Sequence, residues 1–271
     1  MLKSSSTLNI VQKLRSASSR LHSNAARSST SIDSKEVEKF GELSTDWANE
    51  TGPFQALHSL NRIRVPWILG NIPKPKTGTT RLVDVGSGGG ILSIPLARSG
   101  LDVTGIDATK EAVQASTAAM NSKSLANSGI SQRLRFQHTS VEDFCQKPEN
   151  NANYDAVVAS EILEHVADLS SFIQSLAAMA KPGAPLFLTT INRTMISKVA
   201  AIWLAEDILR IVPQGVHEWE KFITPEELRG HLESAGCRVQ SVQGTMFHPI
   251  GNRWTWIGST QCNYAMMAIK K

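Results

Sequence analysis

Cysteine is scarce in this chain. There are three in 271 residues, Cys145, Cys237 and Cys262, far apart in the sequence. An odd, scattered set excludes a disulfide scaffold, and no pair has metal-ligand spacing. Long apolar runs are missing as well, which excludes an obvious membrane-spanning helix. Charged residues make up only 19% while 41% are hydrophobic. That balance excludes a disordered polar chain and is enough to fill a core. The first 32 residues lack acids altogether. They hold five cations (Lys3, Lys13, Arg15, Arg20, Arg27) and ten serines before Asp33. Without those five cations the chain has 23 Lys and Arg against 24 Asp and Glu, a net charge of −1. The basic pI near 9.0 therefore belongs to a tail, and the body lacks the basic surface that a nucleic-acid partner requires.

An Arg- and Ser-rich, acid-free opening is expected to be a disordered organellar transit peptide over 1–32. Leu2, Ile10, Val11, Leu14 and Leu21 give it weak amphipathic character. A mitochondrial leader is the first reading; a chloroplast peptide and an untargeted tail are the alternatives. The folded region is expected at 33–271, beginning with helices over 33–78. Asp33 and Glu36 have capping-box spacing, followed by Val37, Phe40, Leu43 and Trp47 at helical intervals. Thr51-Gly52-Pro53 breaks that helix, and Leu57, Leu60, Ile63 and Trp67 mark a second one.

Strand and helix patterns then alternate. Strands are expected at 81–85, 102–106, 133–138, 154–160 and 184–191, with helices at 91–99, 109–121 and 169–180 between most of them. Two further strands, near 238–246 and 263–269, close the chain. Thr224-Pro225-Glu226-Glu227 has the signature of a capped helix start, and Gly236 ends that helix. Such alternation predicts an α/β fold with a mostly parallel, seven-stranded sheet and helices on both faces.

The first strand runs into Asp84-Val85-Gly86-Ser87-Gly88-Gly89-Gly90. Glycines let the backbone approach a ligand, and the helix that follows offers free N–H groups. A nicotinamide site wants a third glycine at 91, where this chain has Ile91. Asp84 repels a pyrophosphate but suits a cationic or zwitterionic ligand. Asp107 ends the second strand, where an acid accepts ribose hydroxyls. Gly86, Gly88, Asp84 and Asp107 together resemble the Rossmann-like class I S-adenosylmethionine (SAM) methyltransferases. In that fold the loop at Ser140-Val141-Glu142-Asp143 edges the adenine; a surface acid pair is the plainer reading.

After the fourth strand come Ser160-Glu161-Ile162-Leu163-Glu164-His165. Glu161, Glu164 and His165 share a face if this stretch is helical. Two carboxylates and an imidazole could bind Mg²⁺ or Zn²⁺. His165 could equally be a general base with orienting acids. A plain pair of helix-start acids beside a satisfied histidine is the third reading.

The chain from Phe40 onward resembles the ubiquinone-biosynthesis O-methyltransferases. The resemblance rests on Pro53-Phe54, Leu57-His58, Asn61 and Arg64, the loop at 84–92, and Glu161 with Leu163-Glu164-His165-Val166. It continues through Thr190-Ile191-Asn192-Arg193, Ile208-Leu209, Val212-Pro213, Gly215, His217, Lys221-Phe222 and Asn263-Tyr264. The resemblance implies SAM as methyl donor and O-methylation of a polyprenylated catechol at two steps, on polyprenyl-dihydroxybenzoate and on demethylubiquinol. It implies SAM contacts at Arg64, Gly86, Asp107 and Ser160, and a divalent ion, Mg²⁺ before Zn²⁺, at Glu161, Glu164 and His165. Without an ion, His165 or His217 would take the hydroxyl proton.

The resemblance also implies a peripheral place on the matrix side of the mitochondrial inner membrane, among other ubiquinone-biosynthesis proteins. An apolar insertion at 193–222 fits that setting. Met195, Val199, Ile202, Ala205, Leu209 and Val212 form one stripe, so 193–212 reads as a lid touching the membrane or as a core helix. Trp254 and Trp256 could add interfacial aromatics, though core packing explains them equally well. Another small phenolic acceptor, or a non-catalytic scaffold subunit, are the competing functions; the intact Asp84, Asp107 and Glu161–His165 set argues against the scaffold.

Overall fold

Five short apolar runs become the parallel half of one sheet. In a computed structural model that describes residues 30–42, 47–74, 78–122, 125, 128–198 and 219–271, they are β1 (Arg81–Val85), β2 (Asp102–Asp107), β3 (Leu134–His138), β4 (Ala156–Ser160) and β5 (Pro185–Ile191). β6 (Cys237–His248), β7 (Arg253–Ile257) and β8 (Asn263–Lys270) complete it in the order β3-β2-β1-β4-β5-β8-β6-β7. β1 to β5 pair in parallel, whereas β8 is antiparallel to both β5 and β6. The sheet thus has eight strands, one more than expected from the sequence. The extra one, β7, folds back on an elongated β6 from Gly244 to His248. Of the two readings open for its tryptophans, interfacial aromatics or packing, the hairpin shows packing: Trp254 lies against Phe247 and Trp256 against Trp67.

The chain divides into two units, Met1–Thr30 and Ser31–Lys271, and all the described secondary structure lies in the second. Its helices are α1 (Ser34–Glu42), α2 (Gln55–Asn71), α3 (Ser93–Arg98), α4 (Lys110–Met120), α5 (Val141–Cys145), α6 (Leu169–Met179) and α7 (Pro225–Ser234). The α7 cap forms as its sequence predicts. Glu227 donates its amide to Thr224 Oγ1 (3.2 Å), and Thr224 donates its amide to Glu227 Oε2 (2.9 Å). The capping box expected at α1 does not form in that way: Asp33 takes the Lys35 amide (3.1 Å), while the Glu36 carboxylate turns to His165.

Each sheet face buries its own core. Val83, Val85, Val157, Leu186 and Leu188 meet α6 and α7 on one side, and Leu82, Val103, Val158 and Phe187 meet α2 and α3 on the other. Strands buried on both faces explain why β1 and β4 read as near-continuous apolar runs. Strand order reverses between β2 and β4, which flank β1. Ligands of open α/β sheets bind in the crevice outside such a switch point, at the carboxyl ends of the strands.

Candidate functional site

The crevice above β1 and β4 is roofed by residues from α1 and by the segment leading into α2. Its lining includes Asp84, Gly86, Ser87, Gly88, Asp107, Ser140, Ser160, Glu161 and His165 from the sheet side, and Glu36, Phe40 and Trp47 from above. The structure brings together nearly every expected site residue. His217, the second histidine considered for proton transfer, and residues 199–218 of the insertion lie outside the described residues.

The glycine turn is built for close approach. Gly86 (φ +74°) and Gly88 (φ +51°) hold the left-handed conformation that side chains resist. A Cβ on Gly86 would stand 2.7 Å from the Ile162 side chain, and one on Gly88 would stand 2.8 Å from the Trp47 ring. Asp107 fastens the turn from β2: one carboxylate oxygen accepts from the Gly88 amide (2.8 Å), the other from the Thr109 amide (2.8 Å). Burial raises its pKa, and those amides pull it back. Each carboxylate oxygen has a second lone pair, so capacity for ribose hydroxyls remains.

Asp84 lies beneath the turn. Burial pushes its carboxyl up to about 6, against the opposing effects of the Ser93 hydroxyl, which donates to it at 2.6 Å, and of the Arg64 charge. Arg64 projects from α2, only 4% exposed, and donates to Ser160 Oγ (2.7 Å) and to Asn61 Oδ1. Burial lowers it to about 10, with Glu161 and Asp84 as its carboxylate neighbours. Two other motif residues turn out to be fasteners. Asn61 donates to the Ile91 carbonyl (2.7 Å), and His58 Nε2 meets the Trp47 carbonyl (2.9 Å).

Two polar atoms in the lining have no hydrogen-bond partner among the described residues: Ser87 Oγ and the Trp47 indole N–H. Orphaned buried groups in a crevice call for a ligand. A left-handed glycine turn, two acids and a buried arginine suit one with a cationic amino acid end and a ribose, which is the chemistry of SAM.

Glu161, Glu164 and His165 follow β4. Glu161 adopts φ +56°, a strained conformation for a residue with a side chain, and such strain gathers at functional sites. Burial, then the charge of Glu164, push Glu161 up to about 7; a Thr189 hydrogen bond and Arg64 act against that. Glu164 is buried and accepts from Thr190 Oγ1 (2.7 Å). His165 Nδ1 stands 2.9 Å from Glu36 Oε2, with the Phe40 ring edge-on at 5.0 Å. A carboxylate at Nδ1 makes that nitrogen the N–H and leaves Nε2 the basic one in the neutral ring.

Whether this trio fits a divalent ion has two answers. By donor type it fits, and the repulsion between Glu161 and Glu164 is one that a cation would relieve. By placement the expected three-ligand set is not assembled. Glu164 is turned to Thr190 and His165 to Glu36, and among the described residues no group of three His, Cys, Asp or Glu is placed to hold a metal ion.

Glu36, Phe40, Trp47, Thr189 and Thr190 are site residues that the sequence reading missed in this role. The one available signal was Thr189-Thr190 at the end of a strand. Consecutive side chains on a strand point to opposite faces, and accordingly Thr189 meets Ser160 (2.5 Å) while Thr190 meets Glu164.

Residues 29–242 match the methyltransferase-domain family. Among solved structures, the chain is similar to magnesium protoporphyrin IX methyltransferase from Synechocystis PCC 6803 with bound SAH (TM-score 0.61, 19% identity, 88% of this chain and 100% of that one). It is also similar to a SAM-dependent methyltransferase of Thermotoga maritima (TM-score 0.59, 12% identity, 86% and 99%). Fold and crevice thus define a class I SAM-dependent methyltransferase. Human mitochondrial ubiquinone biosynthesis O-methyltransferase is 40% identical over 98% of this chain and 72% of its own length. The Methylobacterium sp. (strain 4-46) ubiquinone biosynthesis O-methyltransferase is 39% identical over 90% of this chain and 98% of its own length. The chain belongs to the ubiquinone biosynthesis O-methyltransferase family.

Proposed function

We propose that this chain transfers a methyl group from SAM to a ring hydroxyl of a polyprenylated catechol, at two steps of ubiquinone synthesis: on polyprenyl-dihydroxybenzoate and on demethylubiquinol. The observation that carries this is the crevice, where a SAM-type pocket shares its wall with His165 and Glu161. The family relationship supports the acceptor.

Methyl transfer from a sulfonium is an in-line displacement that needs an oxyanion nucleophile. Phenols titrate near 10, so the hydroxyl proton has to be drawn off. His165 is the group in place to take it at Nε2, and Glu36 holds the ring and balances the imidazolium that forms. Asp84 and Arg64 set the amino acid end of SAM, and Asp107 its ribose. Phe40 and Trp47 line the crevice from above. A divalent ion at Glu161, Glu164 and His165, Mg²⁺ or Zn²⁺, would supply Lewis acidity that eases the same ionisation.

The wider setting is part of the proposal. The opening residues are read as a mitochondrial leader; of the expected 1–32, Ser31 and Ile32 belong to the folded body, since the Ser31 amide donates to Glu142 Oε1 (3.0 Å), its carbonyl accepts from Ala167 (2.8 Å) and Ile32 bridges to Val166. The protein is placed peripherally on the matrix side of the inner membrane, held by 193–212, with other ubiquinone-biosynthesis proteins as partners. No helix among the described residues is long and apolar enough to cross a membrane, which agrees with a peripheral mode.

The test is an acceptor panel with methyl-labelled SAM: prenylated catechols, an amine and a carboxylate. Label on a catechol oxygen alone is expected; label on nitrogen or carboxylate, with none on the catechols, would overturn the proposal.

A further inference from the structure

Four large hydrophobic side chains among the described residues are exposed: Met195 (66%), Ile196 (50%), Met246 (42%) and Ile250 (95%). All four lie at one end of the sheet. Met195 and Ile196 follow the carboxyl end of β5. Asn263 of β8 pairs with Ile191, the last residue of β5, and with Thr245 of β6. β6 therefore overshoots the sheet edge from Met246 onward. The β6–β7 hairpin projects past the same edge onto which the crevice opens.

The hairpin tip has a specific build. Pro249 accepts from the Asn252 amide (3.1 Å), and Gly251 takes the positive-φ position (φ +88°). Ile250 is left at the corner of the turn, a position open to most residues. Nothing in the turn asks for an apolar side chain there. Beneath the tip, Phe247 packs on Trp254 (5.1 Å between rings), and Trp254 donates its indole N–H to the Ala56 carbonyl at the start of α2 (2.9 Å). The finger is thus braced. Its charge is one-sided: from Ser234 to Lys271 the sequence has no Asp or Glu, and Arg253 stands exposed beside the tip. Among the described residues, Glu50 is the one acid lining the cleft that Asn252 of the turn borders, and Arg62 and Arg98 line it too.

We infer that the β6–β7 hairpin is a second membrane-contact element, in which Ile250 enters the acyl boundary of an anionic bilayer while Arg253 meets its headgroups. A rigid apolar tip with a cation beside it and no acid has the chemistry of interfacial binding. With Met195 and Ile196 it makes two points of contact at the crevice end, so a prenylated ring leaving the bilayer would meet the opening directly. The inference rests on the peripheral-membrane part of the function proposed above.

The test uses the full chain with vesicles of phosphatidylcholine, with and without phosphatidylglycerol, read by co-sedimentation, and SAM binding as the control for folding. Ile250→Glu is expected to lower the vesicle-bound fraction about tenfold, since an apolar contact becomes a charge, with SAM binding unchanged. Ile250→Leu should bind as the parent does. Arg253→Glu should weaken binding only when phosphatidylglycerol is present. Equal binding by Ile250→Glu and the parent would overturn the hairpin's role while leaving the membrane reading intact. A parent chain that binds neither vesicle would overturn both.

Discussion

Glu36 and His165 meet at 2.9 Å although 129 positions separate them in sequence. The contact ties the roof helix α1 to the cluster after β4. Burial pushes the Glu36 carboxyl up, but the hydrogen bond and charge of His165, with Lys39 and Lys221, hold it below the ordinary glutamate value. Lys221 also grips Asp33 (2.9 Å), so the start of α1 is pinned at two points. Glu36→Gln removes the charge and keeps the shape. Its kcat should fall about tenfold to a hundredfold, as for partners that orient a reactive histidine, with the dissociation constant for SAM unchanged. Unchanged kcat would show that Glu36 only fastens α1.

Asp107→Ala should cost about 1.5–3 kcal/mol of SAM affinity, the usual loss when charge-assisted hydrogen bonds disappear. Calorimetry on the folded variant measures it. Parent-like affinity would remove Asp107 from the ribose position.

Asp84 sets a pH dependence. Its folded pKa, about 6, lies above the ordinary 3.8, so the folded apo protein holds the proton more tightly than the unfolded chain does. This contribution to stability is present below about 3.8 and lost as pH rises through about 6. A cationic ligand reverses the preference, because it favours the carboxylate. SAM affinity should therefore fall about tenfold from pH 7 to pH 5, where roughly one Asp84 in ten is ionised. Asp84→Asn should flatten the profile; an equally steep profile in that variant would assign the effect to another group.

Much of this was legible in the sequence. Strand and helix alternation marks the parallel sheet, Gly86 and Gly88 mark the crevice because the left-handed backbone there demands glycine, and Asp84 and Asp107 mark it because a carboxylate at a strand end suits a polar ligand. Two kinds of feature were hidden. Glu36, Phe40 and Trp47 act only through long-range contacts, so their local pattern shows an amphipathic helix and nothing of the roof it forms. β7 was hidden because Trp254 and Trp256 suit a bilayer surface as well as a core. The structure resolves the matter by packing Trp256 on Trp67 (5.7 Å) and bonding Trp254 to Ala56.

Metal removal separates the two ways of ionising the catechol. No ion site is assembled among the described residues, so a role for the proposed ion requires that turnover be lost to a strong chelator and regained with Mg²⁺. Glu164→Ala should then lose turnover yet bind SAM, since the residues proposed to hold SAM are Arg64, Asp84, Gly86, Gly88, Asp107 and Ser160. Full turnover in metal-stripped protein would leave the proton to His165 and Glu36 alone.

The most direct measurement is the initial rate of methyl transfer from labelled SAM to a prenylated dihydroxybenzoate by the intact chain, set against the same ring without its tail. The account predicts an O-methyl product from the prenylated ring at a rate well above that for the bare ring. Tight SAM binding with no transfer to either ring would contradict it.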